Sequence, residues 1–216
     1  MPVDDDSIRL DTRLAGQVRR YHTWPVLREQ SVAEHCWQLM RIYMSVAETD
    51  KVDKNILLHI LIHDIGEHFT GDIPYPVKSL NPNLKREMDL LESRSAAAQV
   101  LHWEAFHPIY FTDADRELFK QLELMEMAEM GMGEVLLGND HGFIIADRCL
   151  EALYEKRPCP RLCQYAILRL KMFSRQYMSI SHPISIRMMS KWWNIIEWEK
   201  VHDSQRETDR RQALQD

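Results

Sequence analysis

The sequence predicts an all-α protein, and three observations support this fold class. Only 7 of the 216 residues are glycine. Apolar residues in the long segments recur every three to four positions, as on one face of a helix, and no segment alternates like an amphipathic strand. The hydrophobic content of 45% and the charged content of 28% are ordinary for a globular domain. We therefore expect one helical domain over residues 1–200, followed by a polar tail of mixed charge at residues 201–216.

The predicted helices follow one another along the chain. The first runs from Ser31 to Glu48, because Ser31 and Glu34 form a capping-box pattern at its start. The second begins at Asp53, a side chain suited to capping a helix, and extends to Phe69. Residues 70–83 contain three prolines and a glycine, so this segment is predicted to be a loop. Further helices are expected at residues 85–103, 113–130, 142–156, 161–178 and 184–198.

Composition limits the environment and the partners of the protein. The net charge of −6 predicts no bulk attraction to nucleic acid. No apolar run approaches the ~20 residues that span a bilayer, and the acidic N-terminus lacks the features of a secretory signal. Cysteines without such a signal indicate a reducing compartment, so we expect a cytoplasmic location, in the host cell if the gene is from a phage. We interpret the cysteines as structural thiols: Cys36, Cys149, Cys159 and Cys163.

Titratable residues cluster at the end of the second predicted helix. His63 and Asp64 follow the apolar run ILLHILI and border its hydrophobic stripe. Buried ionisable groups need partners, and a divalent ion satisfies a histidine and an aspartate together. Two other residues offer further ligands, since His35 and Asp147 each interrupt an apolar helical segment. Each residue alone is more typical of a core or cap position, but together they predict a metal site.

Other residues offer alternative metal ligands. Asp140 and His141, in the segment GNDHGF, are an alternative distal pair, but their Gly- and Asn-containing turn favours a capping or loop role. His59 shares a helix face with His63, as in zinc-binding helices. The glutamate of the HExxH motif is absent, however, and a core or interface role for His59 is favoured.

The pattern resembles the HD-domain metal-dependent phosphohydrolases, whose signature is H…HD…D on separate helices of an all-α domain. Within that superfamily it is similar to bacterial 5′-deoxynucleotidases and to phage deoxynucleoside triphosphate hydrolases. Three segments carry the resemblance, and TGDIPYPVK within the second is the most specific to this branch. They are VRRYHTWPVLREQSVAEHCW, LIHDIGEHFTGDIPYPVK and IIADRCLEALYEK.

The resemblance implies a role for each matching residue. It implies four metal ligands, His35, His63, Asp64 and Asp147. It implies two catalytic carboxylates, Glu67 as a general acid or base and Asp72 near the scissile phosphate. Arg20 and Lys78 match cations that bind phosphate, and Tyr21 stands where relatives often have tryptophan beside the sugar or base.

The expected activity is hydrolysis of a 2′-deoxynucleotide by attack of water on the α-phosphorus. The expected cofactor is a divalent transition metal (Co, Mn, Zn or Fe), with a second Mg or Mn ion accompanying the phosphates. The residues after Arg20 favour a phage-type triphosphohydrolase of dNTPs such as dATP. The alternatives are a 5′-deoxynucleotidase acting on dNMPs and a non-catalytic scaffold that binds nucleotides. We expect a homo-oligomer that binds a small deoxynucleotide and neither nucleic acid nor a membrane.

Overall fold

The computed structural model describes residues 12–48, 50–99 and 111–179. Its elements are almost entirely helical, so the predicted all-α class is confirmed. The chain divides into two compact units, Met1–Pro158 and Cys159–Asp216. The predicted boundary at residue 200 and the predicted helix at residues 184–198 lie outside the described residues, and the single domain over residues 1–200 stays a prediction.

The described part of the first unit starts with a short 3-10 helix and a pair of two-residue antiparallel strands: Thr12–Gln17, β1 (Arg19–Arg20) and β2 (Gln30–Ser31). The helices that follow are α1 (Val32–Val46), α2 (Lys54–Ile62), α3 (Glu67–Thr70), α4 (Tyr75–Leu80), α5 (Pro82–Gln99), α6 (Asp113–Leu136) and α7 (His141–Glu155). The second unit contains α8 (Pro160–Ser179). Within the described residues, no helix is both long enough and apolar enough to cross a bilayer.

The predicted helix starts are confirmed by their caps. The Ser31 hydroxyl accepts a hydrogen bond from the Glu34 N–H at 3.2 Å, and the Glu34 carboxylate accepts one from the Ser31 N–H at 3.1 Å. This capping box satisfies two backbone donors that lack helical partners at the start of α1. At the start of α2, the Asp53 carboxylate accepts a hydrogen bond from the Asn55 N–H at 2.7 Å.

The second predicted helix is shorter than expected. It ends at Ile62, and a turn at residues 63–66 separates it from α3. Within this turn, hydrogen bonds to the third preceding carbonyl replace the helical pattern, as from the Glu67 N–H to the Asp64 carbonyl at 3.0 Å. A glycine is needed here, because a Cβ atom at Gly66 would lie 2.3 Å from the Glu92 carbonyl oxygen of α5.

The prediction of a loop throughout residues 70–83 is wrong for its central part, where α4 forms. Proline is tolerated in the first turn of a helix, because the N–H that it lacks would have no helical partner there. Position 76 lies in this first turn. Residues 71–74 do form an irregular segment, which begins at Gly71 with a φ of 73°.

The core of the first unit lies where α1 packs against α2 and α6, while α6 and α7 pack along their length. Its largest fully buried apolar side chains are Leu39, Ile42, Ile60, Leu122 and Met125. In the second unit, α8 is amphipathic, and its buried residues Leu162, Ile167, Leu170, Phe173 and Tyr177 recur at helical spacing.

The crossing of α6 and α7 predicts unequal effects of two glycine substitutions. A Cβ atom at Gly131 would lie 2.6 Å from the Gly142 carbonyl oxygen, whereas one at Gly133 would meet nothing within 4 Å. We expect Gly131→Ala to lower the free energy of unfolding by about 1–3 kcal/mol through overpacking. Gly133→Ala, the matched control, should raise it by about 0.5–1 kcal/mol. Urea unfolding measures both, and equal stability of the two variants would contradict the close crossing.

Candidate metal and phosphate site

Three predicted metal ligands converge in the structure. His35 lies on α1 and is fully buried, while His63 and Asp64 lie in the turn after α2. The Nε2 atom of His35 lies 3.7 Å from Oδ2 of Asp64, and Nε2 of His63 lies 3.2 Å from the same oxygen. One ligand atom from each residue lies within 4.8 Å of the others, so the group is arranged to hold a metal ion.

The hydrogen bonds of the two imidazoles orient them toward this common point. Nδ1 of His63 lies 3.0 Å from the Ile60 carbonyl oxygen, and Nδ1 of His35 lies 2.9 Å from Oε2 of Glu126. Each Nδ1 therefore donates its proton, which leaves the Nε2 lone pair available. Both Nε2 atoms are buried without a hydrogen-bond partner among the described residues. Two imidazole lone pairs beside a carboxylate oxygen fit a divalent transition metal.

Arg20 lies against the same carboxylate. The pairing of β1 with β2 places it beside the turn, where its Nη1 donates to Oδ2 of Asp64 at 2.8 Å. Burial alone would raise the pKa of Asp64, but its contacts with His63 and Arg20 hold this pKa far below its usual range. The Nε–H of Arg20 is buried and has no partner among the described residues. The guanidinium therefore retains a donor for an anionic ligand.

The predicted catalytic residues lie beside this group. Glu67 is buried at the start of α3, and its Oε2 has no hydrogen-bond partner in the described part of the chain. Burial and the charges of Asp64 and Asp72 raise the pKa of Glu67 to about 8. Lys78 on α4 places its Nζ 4.0 Å from Oε1 of Glu67. This arrangement brings a carboxyl group with a raised pKa close to an ammonium group, near the candidate ligand Asp64.

Tyr21 has an unusual backbone conformation. Its φ is 60°, in the left-handed region that non-glycine residues rarely adopt. Its N–H donates to Oδ2 of Asp72 at 3.4 Å, and its ring lies 5.8 Å from the Arg20 guanidinium carbon. The phenolic oxygen is buried without a partner among the described residues, and burial is the main cause of the raised pKa of Tyr21. The two predicted substrate-binding residues of this segment therefore lie together.

The fourth predicted ligand, Asp147, is not brought into the group. It is partly buried on α7, and the described ligand cluster contains only the two histidines and Asp64. Its role as a ligand stays a prediction. The alternative residue Asp140 occupies the N-cap position of α7, although its side chain makes no capping hydrogen bond.

Two buried glutamates of α6 were missed by the sequence analysis. Glu126, 1% exposed, accepts hydrogen bonds from His35 and from Nε2 of Gln30, the latter at 2.6 Å. Glu134 accepts from the N–H groups of Leu27 and Arg28 at 2.6 and 2.9 Å, which holds the segment between β1 and β2. Both lie in the methionine-rich segment of residues 122–134. No local signal distinguished them, because this helix carries several other charged residues along its length.

Comparisons with known proteins agree with this fold and site. The family model of the HD domain matches residues 13–104. A protein named 5′-deoxynucleotidase from Yersinia pestis (strain Pestoides F) is 24% identical over 185 residues, which cover 77% of this chain and 93% of the relative. Proteins of the same name from Yersinia pseudotuberculosis serotypes O:1b (strain IP 31758) and O:3 (strain YPIII) match with the same identity and coverage.

The fold and the arrangement of the candidate site resemble those expected of an HD-domain phosphohydrolase. The HD-domain match covers the segments that contain Arg20, His35, His63 and Asp64. The match over residues 13–104 and the similarity to proteins named 5′-deoxynucleotidase confirm the resemblance to HD-domain phosphohydrolases that the motifs predicted.

The contact between Glu126 and His35 predicts an effect on metal affinity. Glu126→Gln preserves the shape and one hydrogen-bond acceptor, but it removes the charge that makes the imidazole a better ligand. We expect about tenfold weaker binding of Co²⁺ or Mn²⁺, measured by competition with a chromophoric chelator. The control is Glu117→Gln, because the described hydrogen bonds of Glu117 join it to Lys156 at 3.0 Å and Gln121 at 3.4 Å, which are not candidate site residues. Equal affinities of the two variants would show that Glu126 does not support the ligand.

Proposed function

We propose that the protein is a metal-dependent 5′-deoxynucleotidase, which hydrolyses deoxynucleoside 5′-monophosphates to deoxynucleosides and orthophosphate. The observation that carries this proposal is the convergence of two unpartnered, buried imidazole nitrogens on Asp64 beside Arg20. The substrate class is supported by the relatives named 5′-deoxynucleotidase. These relatives favour the monophosphatase alternative, and the comparisons give no support to the expectation of a phage-type triphosphohydrolase.

The proposed cofactor is one divalent transition ion held by His35, His63 and Asp64, with Asp147 as the predicted fourth ligand. Imidazole and carboxylate ligands suit Mn²⁺, Co²⁺, Fe²⁺ and Zn²⁺, and the native metal among them is left to experiment. When bound, such an ion supplies Lewis acidity, which polarises a phosphoryl oxygen and lowers the pKa of a water molecule. A second Mg²⁺ or Mn²⁺ ion with the phosphates remains an additional prediction.

The proposed phosphate-binding groups are Arg20 and Lys78. The guanidinium of Arg20 is positioned by Asp64, and its unpartnered Nε–H supplies a donor for a phosphate oxygen. Lys78 supplies a second positive charge from α4, 4.0 Å from Glu67. Together they would neutralise the charge that develops on the phosphoryl oxygens during in-line attack by water.

Glu67 is the proposed general acid or base. A carboxyl group with a pKa near 8 exchanges its proton readily at neutral pH, and its buried Oε2 is available to a water molecule or a leaving oxygen. Asp72 is the proposed second catalytic carboxylate, and its charge contributes to the raised pKa of Glu67. Asp72 also binds the backbone of Tyr21, the residue proposed to lie beside the sugar or base.

The assembly and the location of the protein stay predictions. A homo-oligomer, a cytoplasmic location and the absence of nucleic-acid partners follow from the sequence considerations alone. A homo-oligomer would be detected by light scattering, and nucleic-acid binding by a gel-shift assay at moderate salt.

The proposed reaction predicts one product pattern. Protein treated with chelator should be inactive, and Mn²⁺ or Co²⁺ should restore release of orthophosphate from each dNMP, separated by anion-exchange chromatography. Ribonucleotides serve as the control for sugar discrimination. Tripolyphosphate released from a dNTP would instead identify a triphosphohydrolase. If no nucleotide turned over with any transition metal, the non-catalytic scaffold would become the better hypothesis.

The role of Glu67 predicts a separation of metal binding from turnover. Glu67→Gln keeps the size of the side chain but removes its ability to exchange a proton. We expect unchanged metal content by elemental analysis, and a kcat on dNMPs reduced by about 10²-fold or more. The exposed Glu117→Gln substitution is the control. Full activity of Glu67→Gln would exclude the general acid or base role, and loss of the metal would indicate a ligand role instead.

A further inference from the structure

Glu92 on α5 connects three segments of the candidate site. Its Oε1 lies 3.1 Å from Nζ of Lys78 and accepts a hydrogen bond from the Thr70 hydroxyl at 3.4 Å. Its backbone carbonyl packs so closely on Gly66 that a Cβ atom there would lie 2.3 Å away. The carboxylate of Glu92 is therefore held in a defined position relative to the turn that precedes Glu67.

Two carboxylates compete for the ammonium group of Lys78. Oε1 of Glu92 lies at 3.1 Å and Oε1 of Glu67 at 4.0 Å, so the ammonium is hydrogen-bonded to Glu92 alone of the two. The three side chains are largely shielded from solvent, with exposures of 17% for Lys78, 21% for Glu92 and 8% for Glu67. Charges that are shielded from water interact more strongly than exposed ones, so the interaction energies of Lys78 with the two carboxylates are substantial.

We propose that Glu92 is a positioning residue, which holds Lys78 through the shorter of its two ion pairs, 3.1 Å against 4.0 Å, and so keeps the ammonium group from closing onto Glu67. This inference rests on the proposed function, in which Lys78 binds phosphate and Glu67 exchanges a proton. Without the charge of Glu92, Glu67 is the nearest carboxylate, and the ammonium moves onto it. Both groups are then withdrawn from the substrate, so kcat falls and KM rises together.

The surroundings of Glu92 differ from those of an ordinary surface ion pair. Three residues earlier on the same helix, Asp89 pairs with Lys85, and both side chains are about half exposed. Such an exposed pair contributes little, and neither of its members is a candidate site residue. The pair formed by Glu92 instead includes a predicted phosphate-binding group, and a hydroxyl from α3 buttresses it.

The test is a double-mutant cycle on dNMP hydrolysis by the metal-loaded protein. Glu92→Gln retains an oxygen that accepts from Thr70, so it removes mainly the charge. We expect it to lower kcat/KM about tenfold, while the matched control Asp89→Asn leaves kcat/KM unchanged. In a Lys78→Ala background, Glu92→Gln should have no further effect, because Glu92 acts through Lys78. Additive losses, or an unchanged kcat/KM in the single variant, would overturn the proposal.

A second measurement does not depend on turnover. The rate at which an N-hydroxysuccinimide ester acetylates Lys78, followed by peptide mass spectrometry, measures how accessible its amine is to the reagent. We expect slower acetylation of Lys78 in Glu92→Gln, because the amine moves to the more deeply buried Glu67, while Lys85 reacts as before. Faster or unchanged acetylation of Lys78 would overturn the proposed positioning. If the wild-type protein hydrolysed no dNMP, the proposed function would fail, and the acetylation result would still decide the role of Glu92.

Discussion

The buried carboxylate of Asp64 is the constraint on which the rest of the site depends. A buried charge is costly unless it is paired, and Asp64 faces Arg20 as well as two imidazole nitrogens. These partners come from distant parts of the chain, since Arg20 lies on β1 and His35 on α1. The strand pair, the first helix and the turn after α2 must therefore meet at one point. A metal ion at that point would complete a polar group inside an otherwise apolar core.

Two buried glutamates, Glu126 and Glu134, lie around this point, and each accepts hydrogen bonds from a segment that carries candidate site residues. Glu126 orients the imidazole of His35, and Glu134 holds the segment that follows Arg20 and Tyr21. Eight residues separate these two glutamates on α6, which is about 12 Å along a helix axis. The contact between Gly131 and α7 lies between them along the helix. One rigid helix therefore supports both a candidate ligand and the candidate phosphate-binding segment.

The turn after α2 and the lysine of α4 depend on α5 in a similar way. Close packing of its backbone on Gly66 fixes the turn that carries the ligands, while Glu92 reaches the lysine of α4. The helix thus couples the proposed metal ligands to the proposed phosphate cation. Such outer contacts determine the geometry of a site as much as the residues that touch the substrate. In this protein most of these outer contacts are made by acidic side chains, each of which accepts hydrogen bonds from specific donors.

The sequence by itself determined the features that depend on local chemistry. The capping box of Ser31 and Glu34, the N-cap residue Asp53 and the apolar spacing predicted the helices. The His63–Asp64 pair after an apolar run predicted the candidate site. The tertiary structure decided what depends on distant contacts. The break at residues 63–66 and the formation of α4 occur in a segment that packs against α5. Glu126 looks like a surface acid in sequence, because its partner His35 lies 91 positions earlier in the chain. Such residues take their roles from burial and from contacts with residues that are distant in the chain. A local sequence pattern does not show these contacts.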